Sequence, residues 1–510
     1  MAVLNTIVGY AAIAFSLYLL ILFGYRLLFH PLRKYPGPFV AKLSDVYAGY
    51  YAAGRRLHLK TYHDHLQYGP VIRHGPNRLL FNTATALKDI YQNDRLVKAS
   101  IYRGSQVAPD KYNVFNARDK IMHRMKRRVV GQALSDHSLR QFEPTLLEQI
   151  DRFLGVLLQA SKTSSPVNMT PMSRYLGLDI VGHLGFGYDL KLLTDDEYRF
   201  LTKAIVFSNF RINLSMQFPL LIHLRLDILA SLVPNSIRRR LLATLEKMVT
   251  TRLAQPVDAK RDFLSFIAPK LETDLKDVKR SDVWPEAVFF FGAGGDTTGT
   301  ALAGAFFYLS RNPSCYQKLA AEIRSSFKSA DEIRIGKELT SCRYLRACID
   351  ETLRMASPSA TTLWREQDPA ADQSQPLVID GHMVPQGTMV GVNIYTLHHN
   401  AEYFPNPFMF RPERWLEGND HARAAFTPFS IGPRSCGGKS LAYAEISIVL
   451  ARTLWYFDFE PAPGPLGKVG EGTPGRMDGR DREDEFQIHD VFGACTDGPN
   501  LVFRPRAEVL

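Results

Sequence analysis

Cysteine is scarce in this chain. The five present, Cys315, Cys342, Cys348, Cys436 and Cys495, are odd in number and show neither a Cys-x-x-Cys pair nor a secreted-type spacing. That excludes a disulfide framework and points to a reducing compartment. Internal repeats are absent, as is any zinc-finger, helix-turn-helix or aromatic RNA-binding signature. The formal net charge of +11 comes from dispersed basic residues, so no nucleic acid is expected as a partner. A membrane surface or an acidic protein remains.

Charge itself is missing from Met1 to Tyr25. About 20 apolar residues cross a hydrocarbon core of about 30 Å, and residues 3–25 are long enough to do so. No basic residue precedes this run and no small-residue cleavage site is evident, which argues against a cleaved leader. Arg26, Arg33 and Lys34 follow it, so an uncleaved anchor leaves the bulk of the chain in the cytosol. Pro31, Pro36, Gly37 and Pro38 make 26–39 a stiff, non-helical hinge.

Hydrophobic residues make up 45% of the chain and charged ones 22%, enough apolar surface for a large core. From about 40 to 350 apolar residues recur at spacings of three and four, predicting helices broken by short strands at Val71–Arg73 and Leu79–Asn82. Turn signals at Asp380-Gly381 and Pro385-Gln386-Gly387 predict a small sheet over 376–395. Residues 461–485, rich in Gly, Pro and charge, read as a mobile surface loop without a packed core.

Three segments carry chemistry. The first is Phe429-Ser430-Ile431-Gly432-Pro433-Arg434-Ser435-Cys436-Gly437-Gly438, set before a helical run from Leu441 to Leu450. A thiolate is favoured at a helix start, and glycines let a flat macrocycle approach the backbone. A lone cysteine is, by itself, more often a buried structural one. The second is Glu351-Thr352-Leu353-Arg354, whose charges share a helix face and alone read as a solvated pair. The third is Ala293-Gly294-Gly295-Asp296-Thr297-Thr298, inside an apolar helix expected from Asp282 to Leu309. Two interior glycines cost about 1 kcal/mol each and the acid is expensive to bury, so something must offset them. A kink with a satisfied acid is the plainer reading.

Taken in order, these segments resemble the cytochrome P-450 superfamily. The pattern Phe-x-x-Gly-x-Arg-x-Cys-x-Gly, followed by Leu441, Ala442 and Glu445, resembles its haem-binding signature. The resemblance implies a mostly α (α+β) helical prism over 40–510, enclosing haem b (iron protoporphyrin IX) beside a small sheet-rich lobe. It implies Cys436 as the iron ligand, Phe429 packed near the sulfur, Gly438 against the cofactor and Arg434 on a propionate. Glu351, Arg354 and Arg414 of Phe410-Arg411-Pro412-Glu413-Arg414-Trp415 would form a buried triad. Thr297 would hydrogen-bond dioxygen, and Asp296 would help to relay protons.

Further matches are looser. Arg127 stands where relatives keep a propionate-binding arginine, with His123 in place of a tryptophan, and Arg365 follows Pro358 as another. Lys120, Arg124, Lys126 and Arg128 either meet an acidic flavoprotein or form a solvated face. Pocket residues are expected in 102–116, 207–221 and 361–363, at Phe290 and Ala293, and in 491–496. The partners implied are NADPH cytochrome P-450 reductase, cytochrome b5 and a hydrophobic small molecule, at the endoplasmic reticulum membrane. The anchor and the His-x-x-x-Arg variant look most like fungal enzymes of specialised metabolism. The same scaffold also performs desaturation, rearrangement or coupling; a non-catalytic haem carrier is opposed by the intact Asp296-Thr297 pair.

Overall fold

The computed structural model describes residues 1–223, 235–256, 259–271, 277–372 and 374–506. It opens with α1 (Ala2–Gly24), whose apolar side chains face outward rather than into the protein. Among the described residues one helix, Val3–Phe29, is long and apolar enough to cross a membrane. The helix runs on through a wider turn at Tyr25–Phe29, so the non-helical part of the expected 26–39 hinge begins only at His30. There His30 hydrogen-bonds Asn77 at 2.8 Å, and the Arg73 guanidinium donates to the Arg26 carbonyl at 2.8 Å.

Behind the hinge lies a five-stranded sheet. Its strands are β1 (Val71–Gly75), β2 (Arg78–Phe81), β3 (Leu96–Lys98), β4 (Arg365–Gln367) and β5 (Met389–Val392), in the order β1-β2-β5-β4-β3. Both strands expected in the first third are present, and the 376–395 region forms a hairpin at Leu377–Ile379 and His382–Val384 together with β5.

The body is helical. The elements that build the site are α2 (Lys120–Ala133), α3 (Met169–Phe186), α4 (Phe200–Gln217), α5 (Val283–Arg311), α6 (Arg343–Met355) and α7 (Lys439–Tyr456). The largest core cluster joins α3, α5 and α7 through Leu178, Val181, Phe291, Leu302, Ile446 and Leu450. Helix α5 crosses α3 so closely that a β-carbon on Gly177 would stand 2.5 Å from the Gly295 carbonyl oxygen, and one on Gly295 2.6 Å from Leu178. The interior glycines therefore return their propensity cost as close helix packing.

A hairpin of β6 (His489–Val491) and β7 (Gly493–Cys495) closes against α4 and α5. The segment 461–485 departs from the expected core-free loop. It is mostly irregular and exposed, yet Arg480 and Glu485 are buried. Glu485 accepts from Tyr395, and Arg311 pairs with Glu471 at 2.9 Å. A long polar segment gives no apolar periodicity by which such long-range contacts could be read.

Candidate active site

Helix α5, the Cys436 loop and the sheet enclose a cavity of about 300 Å³. Cys436 and Thr297 both open on it, with Phe115, Phe263, Phe289, Phe290, Val181 and Phe492 among the apolar walls. Phe115 stacks on Phe289 at 5.2 Å and meets Phe492 edge-on at 5.4 Å.

The Cys436 loop is shaped by its own backbone. The Cys436 amide donates to the Phe429 carbonyl at 2.8 Å, and Gly432 takes a φ of +75° where a β-carbon would meet the Tyr91 carbonyl oxygen at 2.1 Å. The Phe429 ring lies 5.1 Å from Tyr443. Gly438 caps α7 and lines the cavity. Burial pushes the Cys436 thiol up, while the Gly438 N–H, Arg127 and Lys439 pull it down. Coordination to a metal deprotonates a thiol outright, so the neutral form is the resting state of an unligated sulfur only.

One edge of the cavity is strongly basic. Lys98, His123, Arg127, Arg365 and Arg434 all line it. Arg127 donates to the carbonyls of Ser435 (2.7 Å) and Cys436 (3.4 Å). Arg434 donates to those of Ala117 and Arg118, and Arg365 to those of Leu363 and Trp364. Among the described residues none of Lys98, Arg127, Arg365 and Arg434 has a carboxylate in ion-pair contact. Burial and Arg365 push Arg434 down to about 10. Burial, followed by Arg434 and Lys98, holds His123 at about 3 while the edge carries no anion. Lys98 and Arg365 are buried and Arg127 and Arg434 half-buried, and cations so grouped call for an anion. A haem, with its two propionates, meets that need beside the one cysteine open to the cavity, so the residues present fit the cofactor.

Behind the Cys436 loop the expected triad is assembled. Glu351 accepts from Arg354 Nε and Nη2 (3.0 and 2.9 Å) and from Arg414 Nε (3.0 Å), all three residues buried. Two donors were not foreseen, Trp415 Nε1 and the Arg411 amide, each at 3.0 Å. Every direction around the carboxylate is thus used.

Asp296 and Thr297 part company. Thr297 opens on the cavity, its hydroxyl donating to the Ala293 carbonyl at 2.8 Å. Asp296 is buried, does not line the cavity, and pairs with Arg174 of α3 at 2.9 Å. Burial pushes its carboxyl up and Arg174 draws it back. Arg174 lies in no motif, and only the crossing of α3 and α5 reveals it.

One reading is corrected outright. Lys126 is buried against Glu286 at 3.0 Å and presents nothing to a flavoprotein. Its neighbours Arg124 and Arg128 are exposed, and Lys120 reaches Asp368 at 2.8 Å. The helical repeat turns Lys126 inward with His123, Val129 and Val130.

A helical prism around one deep cavity, with a cysteine on one wall and a threonine of a long helix on another, defines a haem-thiolate oxygenase. The cytochrome P-450 family profile matches residues 53–469. The chain is 35% identical over 500 residues to the cytochrome P-450 monooxygenase AKT7 of Alternaria alternata, covering 94% of each protein. It is 36% identical over 508 residues to poxM of Penicillium oxalicum, covering 97% of this chain and 94% of that one. With apf7 of Gibberella fujikuroi it shares 37% over 512 residues, 94% of this chain and 95% of that one. The chain belongs to the cytochrome P-450 family and is a haem-iron monooxygenase.

Proposed function

We propose that this enzyme hydroxylates a hydrophobic small molecule of fungal specialised metabolism, using electrons from NADPH cytochrome P-450 reductase with cytochrome b5 as a second donor. The observation that carries the reading is the shared cavity of Cys436 and Thr297, walled by aromatic side chains and edged by Lys98, Arg127, Arg365 and Arg434, none of them ion-paired to a carboxylate among the described residues. We assign it to the endoplasmic reticulum membrane with the catalytic domain cytosolic, a reading supported by the long apolar first helix and the basic residues that follow it. Phe39, Val40, Val46, Tyr50 and Leu220, exposed outside the first helix, supply an apolar surface suited to the same membrane.

Bound haem b, with a thiolate ligand, supplies the activation of dioxygen and the electron push that favours O–O cleavage. The chain's own groups do the rest. Cys436 would hold the iron, with the Gly438 N–H beside its sulfur, and Arg127, Arg365, Arg434 and His123 would hold the propionates. Phe429 shields the sulfur from water. Thr297 holds a proton at Oγ1 and delivers it on turning from the Ala293 carbonyl. Asp296, paired with Arg174 on the far face of α5, would exchange protons there through its unpartnered Oδ2. The aromatic walls exclude water and orient the substrate.

Cys436→Ala tests the core of this reading: the shifted Soret band of the reduced carbon monoxide complex should vanish, and a retained band removes Cys436 from its role. Deleting the gene in its host tests the reaction. An accumulated precursor lighter than the lost product by one oxygen atom supports hydroxylation, whereas a difference of hydrogens only, or an isomer, replaces it with desaturation, coupling or rearrangement.

A further inference from the structure

The hairpin of β6 and β7 reaches the cavity with a single residue at its tip. Val491 pairs with Gly493, so Phe492 alone makes the turn, and its φ is +82°. That conformation is rare for any residue but glycine, and it persists only where the surroundings over-determine it. Phe492 nonetheless presents its ring to the cavity, edge-on to Phe115 at 5.4 Å.

The two legs of the hairpin are tied to different helices. Ala494 on β7 donates its amide to the Pro358 carbonyl at 2.7 Å, and its own carbonyl accepts from Arg174 of α3 (3.1 Å) and Thr300 of α5 (3.2 Å). Asp490 on β6 is tied to α4 instead. Asn213 Nδ2 donates to its Oδ1 and to its carbonyl, both at 3.3 Å. The Asn213 amide is itself oriented, since its Oδ1 accepts from Gln217 Nε2 at 3.4 Å and Arg78 of β2 donates to the Gln217 carbonyl at 3.3 Å. Asp490, Asn213, Gln217 and Arg78 are all buried. The same Asp490 Oδ1 accepts from the Phe492 amide at 3.1 Å. One carboxylate oxygen thus joins the strained tip to α4.

We propose that Asp490, oriented by Asn213, is a positioning residue for substrate selection: its Oδ1 holds the Phe492 amide, and the backbone so held keeps the Phe492 ring in the cavity at a place set by α4. The inference rests on the haem reading above. Neither Asp490 nor Asn213 lines the cavity, so ligands large enough to touch Phe492 are selected by a carboxylate that never meets them, and ligands that reach only the iron are not.

The test uses purified holoenzyme and two iron ligands, imidazole and 4-phenylimidazole, each titrated by the shift of the Soret band. Only the second carries a ring able to reach the aromatic walls. Asp490→Ala should weaken 4-phenylimidazole about fivefold relative to imidazole, the scale of one lost aromatic contact, with the affinity for imidazole unchanged. Asp490→Asn keeps the acceptor and should keep the wild-type ratio. A wild-type ratio in Asp490→Ala overturns the proposal, as does a loss in Asp490→Asn equal to that in Asp490→Ala. Phe492→Gly should give the same loss by itself, and adding Asp490→Ala to it should change the ratio no further. A second loss of that size would show that Asp490 does not act through Phe492 and would overturn the proposal too. If Asp490→Ala does not accumulate as holoprotein, Asp490→Leu fills the same space without an acceptor, with the same outcomes. A wild-type protein whose Soret band does not respond to imidazole would instead overturn the haem reading itself.

Discussion

Arg174 Nε lies 2.9 Å from Asp296 Oδ1, and this ion pair bolts α3 to α5 at their closest crossing. Both side chains are buried, and Arg174 also donates to the Ala494 carbonyl at 3.1 Å. The second carboxylate oxygen, Oδ2, has no hydrogen-bond partner. The pair therefore offsets the cost of an acid inside an apolar helix and leaves one of its oxygens unpartnered.

Removing one member of such a pair strands the other. Arg174→Ala should cost about 3–5 kcal/mol in denaturant unfolding of the holoenzyme, and Arg174→Ala with Asp296→Asn together should cost less than Arg174→Ala alone. Near-additive losses in that double-mutant cycle would show that the two groups do not compensate each other.

Thr297 is held on the cavity wall by a single hydrogen bond to Ala293, so its loss leaves no buried charge behind. Thr297→Ala should keep the haem content and the carbon monoxide spectrum of wild type. Oxidised product per NADPH consumed should fall about tenfold or more, the scale of a lost proton-transfer group, with hydrogen peroxide making up the difference. Unchanged coupling would remove Thr297 from proton delivery.

Glu351 satisfies two buried guanidiniums, an indole N–H and a backbone amide at once. Glu351→Ala leaves Arg354 and Arg414 as buried cations without their acceptor, a loss of about 3–5 kcal/mol. Most of the variant should be recovered without haem, because the triad packs behind the loop that carries Cys436. Wild-type haem occupancy and unfolding midpoint in Glu351→Ala would contradict this.

Asp490 offers a test by pH. Its Oδ1 accepts from the Phe492 amide (3.1 Å) and Asn213 Nδ2 (3.3 Å), Oδ2 is unpartnered, and burial pushes the carboxyl up to about 6. The folded-state value lies above the unfolded one, so the folded protein binds the proton more tightly. Stability is greatest below about pH 4 for this group and is lost as pH rises to about 6, where the cost levels off at about 3 kcal/mol. Asp490→Asn keeps an acceptor at Oδ1 and cannot ionise. Its stability relative to wild type should climb between about pH 4 and 6 and then stay constant; a difference flat across that window would show that Asp490 ionises freely.

The motifs that were legible are those whose geometry is local. The Phe429–Gly438 loop needs only its own turns and glycines to present Cys436, and Glu351 and Arg354 meet because three residues make nearly one helical turn. The long helix, the first two strands and the hairpin after Leu377 follow from periodicity and turn residues in the same way. Lys126 shows where this stops. A basic helix face reads as solvated, and only the arrival of Glu286 from another helix turns one of its lysines into a core residue.

What the sequence by itself determined, then, is the family, the cysteine loop, the Glu351–Arg354 half of the triad and the apolar first helix, since each is written in neighbouring residues. The tertiary structure alone decided that Asp296 turns away from Thr297 toward Arg174, that Lys98 joins the basic edge of the cavity, and that Glu485 pins the polar segment before it to Tyr395. The physical reason is common to all three. A charge far from its partner in the chain carries no periodicity, and whether it is solvated, paired or held for a cofactor is settled only when packing brings the distant group within reach.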